Sequence, residues 1–186
     1  MEHFAFLHSL ALLLVLAGGV EASECPSSPN HVETLSQHLT ALQTAENENA
    51  ARLITNEMWG LWADAPDGQS QEVLDRGMRM RAAWDLLNAV EAFDRLIDYC
   101  PHYAEGYNQR AFANFLQQKF EVALEDLDRA VDLSPAHIGA IVGRAMTLIA
   151  LGREAEAQVD LQRALALNPW LPERRMLHRE KPADEL

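Results

Sequence analysis

The chain has 186 residues, 48% hydrophobic and 23% charged, proportions that exclude a fibrous or wholly disordered polymer. Fifteen Lys and Arg against 28 Asp and Glu leave a formal charge of −13, which argues against nucleic acid as a partner, because phosphate recognition needs a basic surface. Two cysteines are too few for a multi-thiolate zinc or iron–sulfur centre and leave a single disulfide as the available cross-link.

From Phe4 to Val20 there is no charged side chain, and residues 10–16 are almost purely aliphatic. Ala17, Gly18 and Gly19 follow, and Val20-Glu21-Ala22 offers a small-residue cleavage point before Ser23. This is the layout of a secretory signal peptide over residues 1–22, although its amino-terminal part holds Glu2 and His3 and no Lys or Arg. The expectation is an exported protein, periplasmic in a bacterium. The alternative is an uncleaved membrane anchor over residues 4–20, a run at the short limit for spanning a bilayer. Residues 23–30 read as a linker. In an oxidising compartment Cys25 and Cys100 are the only intramolecular pair, and joining them closes a loop of 75 residues; the alternative is two free thiols.

Residues 31–69 read as a helical hairpin, with helices over 32–43 and 46–63 closed by the turn signal Pro66-Asp67-Gly68. Val32, Leu35, Leu39 and Leu42 share one face of the first helix. Met58, Trp59, Leu61 and Trp62 make the second apolar. This hairpin reads as a degenerate unit or as a cap on whatever follows, since a helical array needs covered ends. The alternative role for Trp59 and Trp62 is a ligand platform.

From residue 70 the chain repeats with a period of 34. Pro101, Pro135 and Pro169 keep that interval, as do Ala89, Ala123 and Ala157. So do Gly77, Ala111 and Ala145, then Arg76, Arg110 and Arg144, then Arg95, Arg129 and Arg163. The units are residues 70–103, 104–137 and 138–171, each predicted as two helices. In the second unit these are 105–117 and 121–133, with the turn at 118–120. In the third, Gly152 makes the turn and 153–167 follows. Ala123 and Ala130 are small where helices must approach closely. Pro135 ends its helix by removing an amide donor and clashing with the preceding turn. Residues 172–186 read as a short closing helix to about 179, with Met176 and Leu177 covering the last unit, and a frayed tail. Its Ala183-Asp184-Glu185-Leu186 is read as chance in an acidic tail.

Chemistry is sparse. None of His3, His8, His31, His38, His102, His137 and His178 stands in a metal-ligating pair with a helper carboxylate, and His102 and His137 read as loop residues. There is no phosphate-cradling glycine loop and no nucleophile elbow. Glu125, Asp126 and Asp128 read as a solvated face. Arg76, Arg110 and Arg144 are expected to pair with acids on neighbouring helices. No catalytic residue, metal site or cofactor is expected, and the function is read as non-enzymatic.

The repeating columns resemble the tetratricopeptide repeat family. Val73, Tyr107 and Ile141 stand at position 4 of that pattern, Phe93, Leu127 and Leu161 at position 24, and Leu96, Ala130 and Ala164 at position 27. The resemblance covers residues 70–171, and Arg at position 7 of each unit departs from it. More loosely, Trp59-Gly60-Leu61-Trp62, Tyr99-Cys100-Pro101 and Asn168-Pro169-Trp170 make the chain similar to small exported bacterial proteins with such repeats. The resemblance implies an all-α superhelix of tandem helix-turn-helix units whose first helices line a concave groove. Carried onto this sequence, positions 5, 9 and 12 are Leu74, Met78 and Arg81, then Asn108, Phe112 and Phe115, then Val142, Met146 and Ile149. The implied function is protein–protein interaction in the cell envelope, with a peptide or helical segment in that groove and Asn108 hydrogen-bonding an extended backbone. The Lys and Asn cluster with which some repeats clamp a chaperone's terminal carboxylate is absent from these positions. The competing readings are a self-associating array and an envelope enzyme or ligand-binding protein using Trp59 and Trp62.

Overall fold

The computed structural model describes residues 24–177, which form eight α-helices and a terminal 3₁₀ turn with no strand among the described residues. Residues 1–23 and 178–186, holding the expected export segment and the acidic tail, lie outside the described residues. The helices are α1 Val32–Gln43, α2 Glu48–Trp62, α3 Gly68–Ala82, α4 Leu86–Tyr99, α5 Ala104–Leu116, α6 Phe120–Leu133, α7 Ile138–Ala150 and α8 Glu154–Leu167. Helix bounds fall within two residues of those the periodicity predicts; the closing helix is instead the 3₁₀ turn Pro172–Met176. Each helix from α3 to α8 packs on the next, and α3, α5 and α7 lie side by side.

The 34-residue columns explain the stacking. Ala89, Ala123 and Ala157 are fully buried where the two helices of each unit cross. Gly77 stands where a methyl group would collide with the Phe93 ring, so the first unit uses the larger core residue and gives up the side chain opposite it. The tight turns use one device. Trp84, Gln118 and Gly152 have φ of 60°, 60° and 73°, and the next amides bond back to Met80, Asn114 and Leu148 at 2.9, 3.0 and 2.8 Å. This left-handed reversal satisfies the helix's last carbonyls.

A second periodic device joins neighbouring units. Arg110 Nε and Nη2 donate to both oxygens of Asp126 on α6 at 2.9 and 2.6 Å, while its Nη1 donates to Asp94 on α4 at 2.7 Å. One period later Arg144 repeats this with Asp160 on α8, at 2.7 and 2.7 Å, and Asp128 on α6, at 3.0 Å. Each guanidinium thus bridges three consecutive helices. Asp126 and Asp160 are buried, which corrects the solvated reading of Asp126. Burial pushes the Asp126 carboxyl up, and the Arg110 guanidinium offsets this in part. Among the described residues Arg76 pairs with Glu72 of its own helix, because Ala92 replaces the inner aspartate in its unit.

The α1–α2 hairpin departs from expectation. It does not stack on the open side of the first unit but runs along the array to the third. Leu42, Ala51, Met58 and Trp62 form one cluster with Ile138 of α7, closed by Leu167, Trp170 and Leu171. Gln43 Nε2 donates to the carbonyls of Ala166 and Leu167 at 3.0 and 2.9 Å, satisfying groups that the end of α8 leaves free. Trp170 Nε1 donates to the Leu42 carbonyl at 3.1 Å. At the other end the Tyr103 hydroxyl donates to the Trp62 carbonyl at 2.9 Å, and Cys25 is disulfide-bonded to Cys100. The hairpin is thereby fastened to both ends of the array.

Candidate binding cleft

The inner faces of α3, α5 and α7 enclose a cleft of about 770 Å³, whose remaining walls come from Trp59 and Gly60 of α2, Ala63 just after it, Leu127 of α6 and Glu173. Seven of the nine groove positions carried over from the family line it: Met78, Arg81, Asn108, Phe112, Phe115, Val142 and Met146. Two do not. Leu74 is fully buried in the core around Phe93, a packing residue, and Ile149 is half-buried outside the cleft lining. Phe112 is 43% exposed in the cleft. The Arg81 guanidinium lies over its ring, 4.3 Å from the centroid.

Beneath the apolar wall lies a buried polar network. Glu105 is 1% exposed; its Oε1 accepts from Gln109 Nε2 at 2.6 Å, and its Oε2 accepts from Asn108 Nδ2 at 3.0 Å. His137 Nε2 lies 2.8 Å from Glu105 Oε2, while its Nδ1 accepts the Ala140 amide at 3.2 Å. Because Nδ1 accepts, the donated proton is on Nε2. His137 is thus the buried N-cap of α7, which corrects its reading as a loop residue. The same network engages one donor of Asn108.

The tryptophans separate by role. Trp62 is buried and stacks on the His137 ring at 4.3 Å, so it belongs to the core and not to a ligand platform. Trp59 meets Trp62 edge-on and faces the cleft; a methyl group on Gly139 would collide with its ring. This contact is invisible to sequence pattern, since Trp59 and Gly139 are 80 positions apart. Glu105, Gln109, Gly143 and Thr147 are further lining residues that the family's groove positions missed. Among the described residues, no three His, Cys, Asp or Glu side chains are grouped to hold a metal ion.

Stacked helical hairpins enclosing a concave cleft define the chain as a helical-repeat scaffold. A sequence profile described as a tetratricopeptide repeat matches residues 138–169. The chain resembles the tetratricopeptide repeat family in sequence, and its tandem helical hairpins have that family's fold. Tetratricopeptide repeat protein 36 of Xenopus tropicalis is 36% identical over 112 residues, covering 58% of this chain and 55% of that one. A TPR repeat-containing protein of Rhizobium etli is 28% identical over 152 residues, covering 81% of this chain and 72% of that one. This chain therefore spans little more than half the length of the frog relative. The second TPR domain of human RPAP3, solved in complex with an HSP70 peptide, aligns with a TM-score of 0.56 at 27% identity, over 58% of this chain and 90% of that one.

Proposed function

We propose that this chain is a non-enzymatic interaction module that holds a segment of a partner polypeptide in the cleft between α2, α3, α5 and α7. The observation that carries the reading is Phe112, a large apolar side chain left 43% exposed inside an apolar cleft of about 770 Å³. A monomer gains nothing by leaving it wet, and burying it against a partner is worth about 2 kcal/mol. The peptide held by the human RPAP3 domain supports a polypeptide ligand, and Met78 and Met146 supply adaptable packing for one. Because α2 already occupies part of the concave face, the space favours an extended segment over a whole helix, whose diameter is about 10 Å. The setting proposed is the cell envelope, after export directed by residues 1–22. The uncharged run of residues 4–20 and the Cys25–Cys100 disulfide support it.

The reading is tested by selecting binders from a random peptide library displayed between two fixed flanks, against the wild-type protein and Phe112→Asp. Wild type should enrich a family of apolar-containing sequences that the variant no longer binds. Identical pools would overturn the cleft as the binding site. Sedimentation of both proteins addresses self-association, since a dimer that dissociates on Phe112→Asp would give the cleft to a second copy of this chain. For export, the envelope fraction should yield a chain beginning at Ser23; a chain retaining Met1 in the membrane pellet would support the anchor instead.

A further inference from the structure

The hairpin that narrows the cleft buries little of itself. In α1 only Leu42 is buried and in α2 only Ala51, Met58 and Trp62, whereas α4 alone buries five of its residues. Its seat is poorly matched as well. Among the described residues, the buried side-chain atoms without a hydrogen-bond partner are Trp62 Nε1, Arg81 Nε, Gln109 Oε1 and Glu173 Oε2. Trp62 belongs to α2, and the other three residues line the cleft that α2 walls. They include a cation, a carboxylate, a donor and a carbonyl, so no single complement is missing. What they share is exclusion from water, which costs stability while the hairpin is seated and is relieved when water reaches them. An element with few buried contacts and an ill-satisfied seat is one that opens locally before the whole molecule unfolds.

Two legs carry the hairpin. Residues 63–67 lead from α2 into α3, with the Ala65 amide donating to Gln71 Oε1 at 2.9 Å. The leg entering α1 is joined to the array through the disulfide, which ties Cys25 to Cys100 at the end of α4. His31 Nε2 and Asp64 Oδ2, 2.7 Å apart, bind the legs to each other and not to the array. With the disulfide closed, both legs are pinned near the junction of the first two units. With it open, the hairpin hangs on residues 63–67 and on the seam at its tip. We propose that the hairpin is a redox-latched cover: the Cys25–Cys100 disulfide holds it on the inner face, and a dithiol reductant releases it. One reductant thiolate attacks the partly exposed Cys25 sulfur, the S–S bond breaks, and Cys100 leaves with the electron pair and takes a proton. The second reductant thiol then displaces Cys25 as a thiol, so two electrons pass to the protein and the reductant ends as a disulfide. Release uncovers His137, Ile138 and Gly139 at the start of α7, against which Trp62, Met58 and Trp59 pack. The latch operates whatever the cleft holds, so it stands independently of the binding reading.

The test is amide hydrogen exchange on the disulfide-bonded protein before and after dithiothreitol, with Cys25→Ser as a permanently unlatched form. Detached helices of 12 and 15 residues are marginal in water, so release of the hairpin shows as exchange in α1 and α2. Reduction also lowers global stability and speeds exchange everywhere, and α5 and α6 report that part. Exchange in α1 and α2 should accelerate about tenfold or more beyond the change in α5 and α6, and reoxidation should restore the slow rates. Cys25→Ser should show the fast rates with or without dithiothreitol. Equal acceleration in all four helices would mean that the disulfide only stabilises the fold, and overturns the latch. So does a hairpin as protected after reduction as before, or Cys25→Ser exchanging like oxidised wild type. Should Cys25→Ser fail to fold, reduced wild type against its reoxidised form decides the question.

Discussion

Gln118 and Trp84 occupy the left-handed backbone position that Gly152 fills one and two periods later, with φ of 60° against 73° for the glycine. A side chain there meets its own backbone, at a cost of about 1–2 kcal/mol. Gln118→Gly should therefore raise the unfolding temperature by about 2–4 °C, read by thermal denaturation. Gly152→Ala should lower it by a similar amount. A second residue-scale effect concerns Asp67. Its carboxylate accepts the Ser70 amide at 2.7 Å and the Tyr99 hydroxyl at 2.7 Å, which hold its pKa below the usual 3.8. Both bonds favour the ionised form, so this stabilisation is present above about pH 4 and is lost as the pH falls through the lowered value. Acid unfolding of Asp67→Asn should show a shallower pH dependence below pH 4 than wild type. The turns at Gly152 and at 118–120 were legible in the sequence; the left-handed backbone of Gln118 and Trp84 was not, because neither side chain signals it.

At the scale of the element, the guanidinium bridges decide how firmly successive units are joined. Arg144→Met leaves Asp160, 5% exposed at its side chain, as a buried unpaired carboxylate and should cost about 3 kcal/mol. Arg76→Met breaks one exposed pair with Glu72 four residues earlier and should cost under about 0.5 kcal/mol. Equal losses in urea denaturation would show that the bridges do not carry the difference. Pairing across helices was expected of Arg76, Arg110 and Arg144 from the excess of acidic residues, and Arg76 instead pairs within its own helix. The depth of Asp126 and Asp160 was missed, although both the 94/128 and the 126/160 pairs keep the period of 34. A column of acids in step with a column of arginines was the available signal.

For the whole molecule, the decisive arrangement is the hairpin lying along the array. Its two fastenings are the Cys25–Cys100 disulfide, across 75 residues, and the apolar and hydrogen-bonded seam with α8 and Trp170. Reducing the disulfide restores loop freedom to the unfolded chain and should cost about 4 kcal/mol in the chain-entropy account, lowering the unfolding temperature by about 10 °C. Calorimetry with and without reductant measures this, and an unchanged transition would assign the hairpin's anchorage to the seam alone. The placement also explains why seven of the nine groove residues line the cleft whereas the cleft differs from an open trough. The family's positions specify the inner helices, but the hairpin supplies Trp59, Gly60 and Ala63 to the walls.

From sequence alone came the helices, the period of 34 and the units, because each rests on spacing that a helix reads locally, while the inner face came from the family's positions carried onto that register. Tertiary structure alone decided where the hairpin lies, that Leu74 is core, and that Trp62, His137 and Glu105 meet. Those outcomes depend on which apolar surfaces find each other across distant segments. The pairing of Trp59 with Gly139 is a match of shape between surfaces 80 residues apart, and no periodicity encodes it.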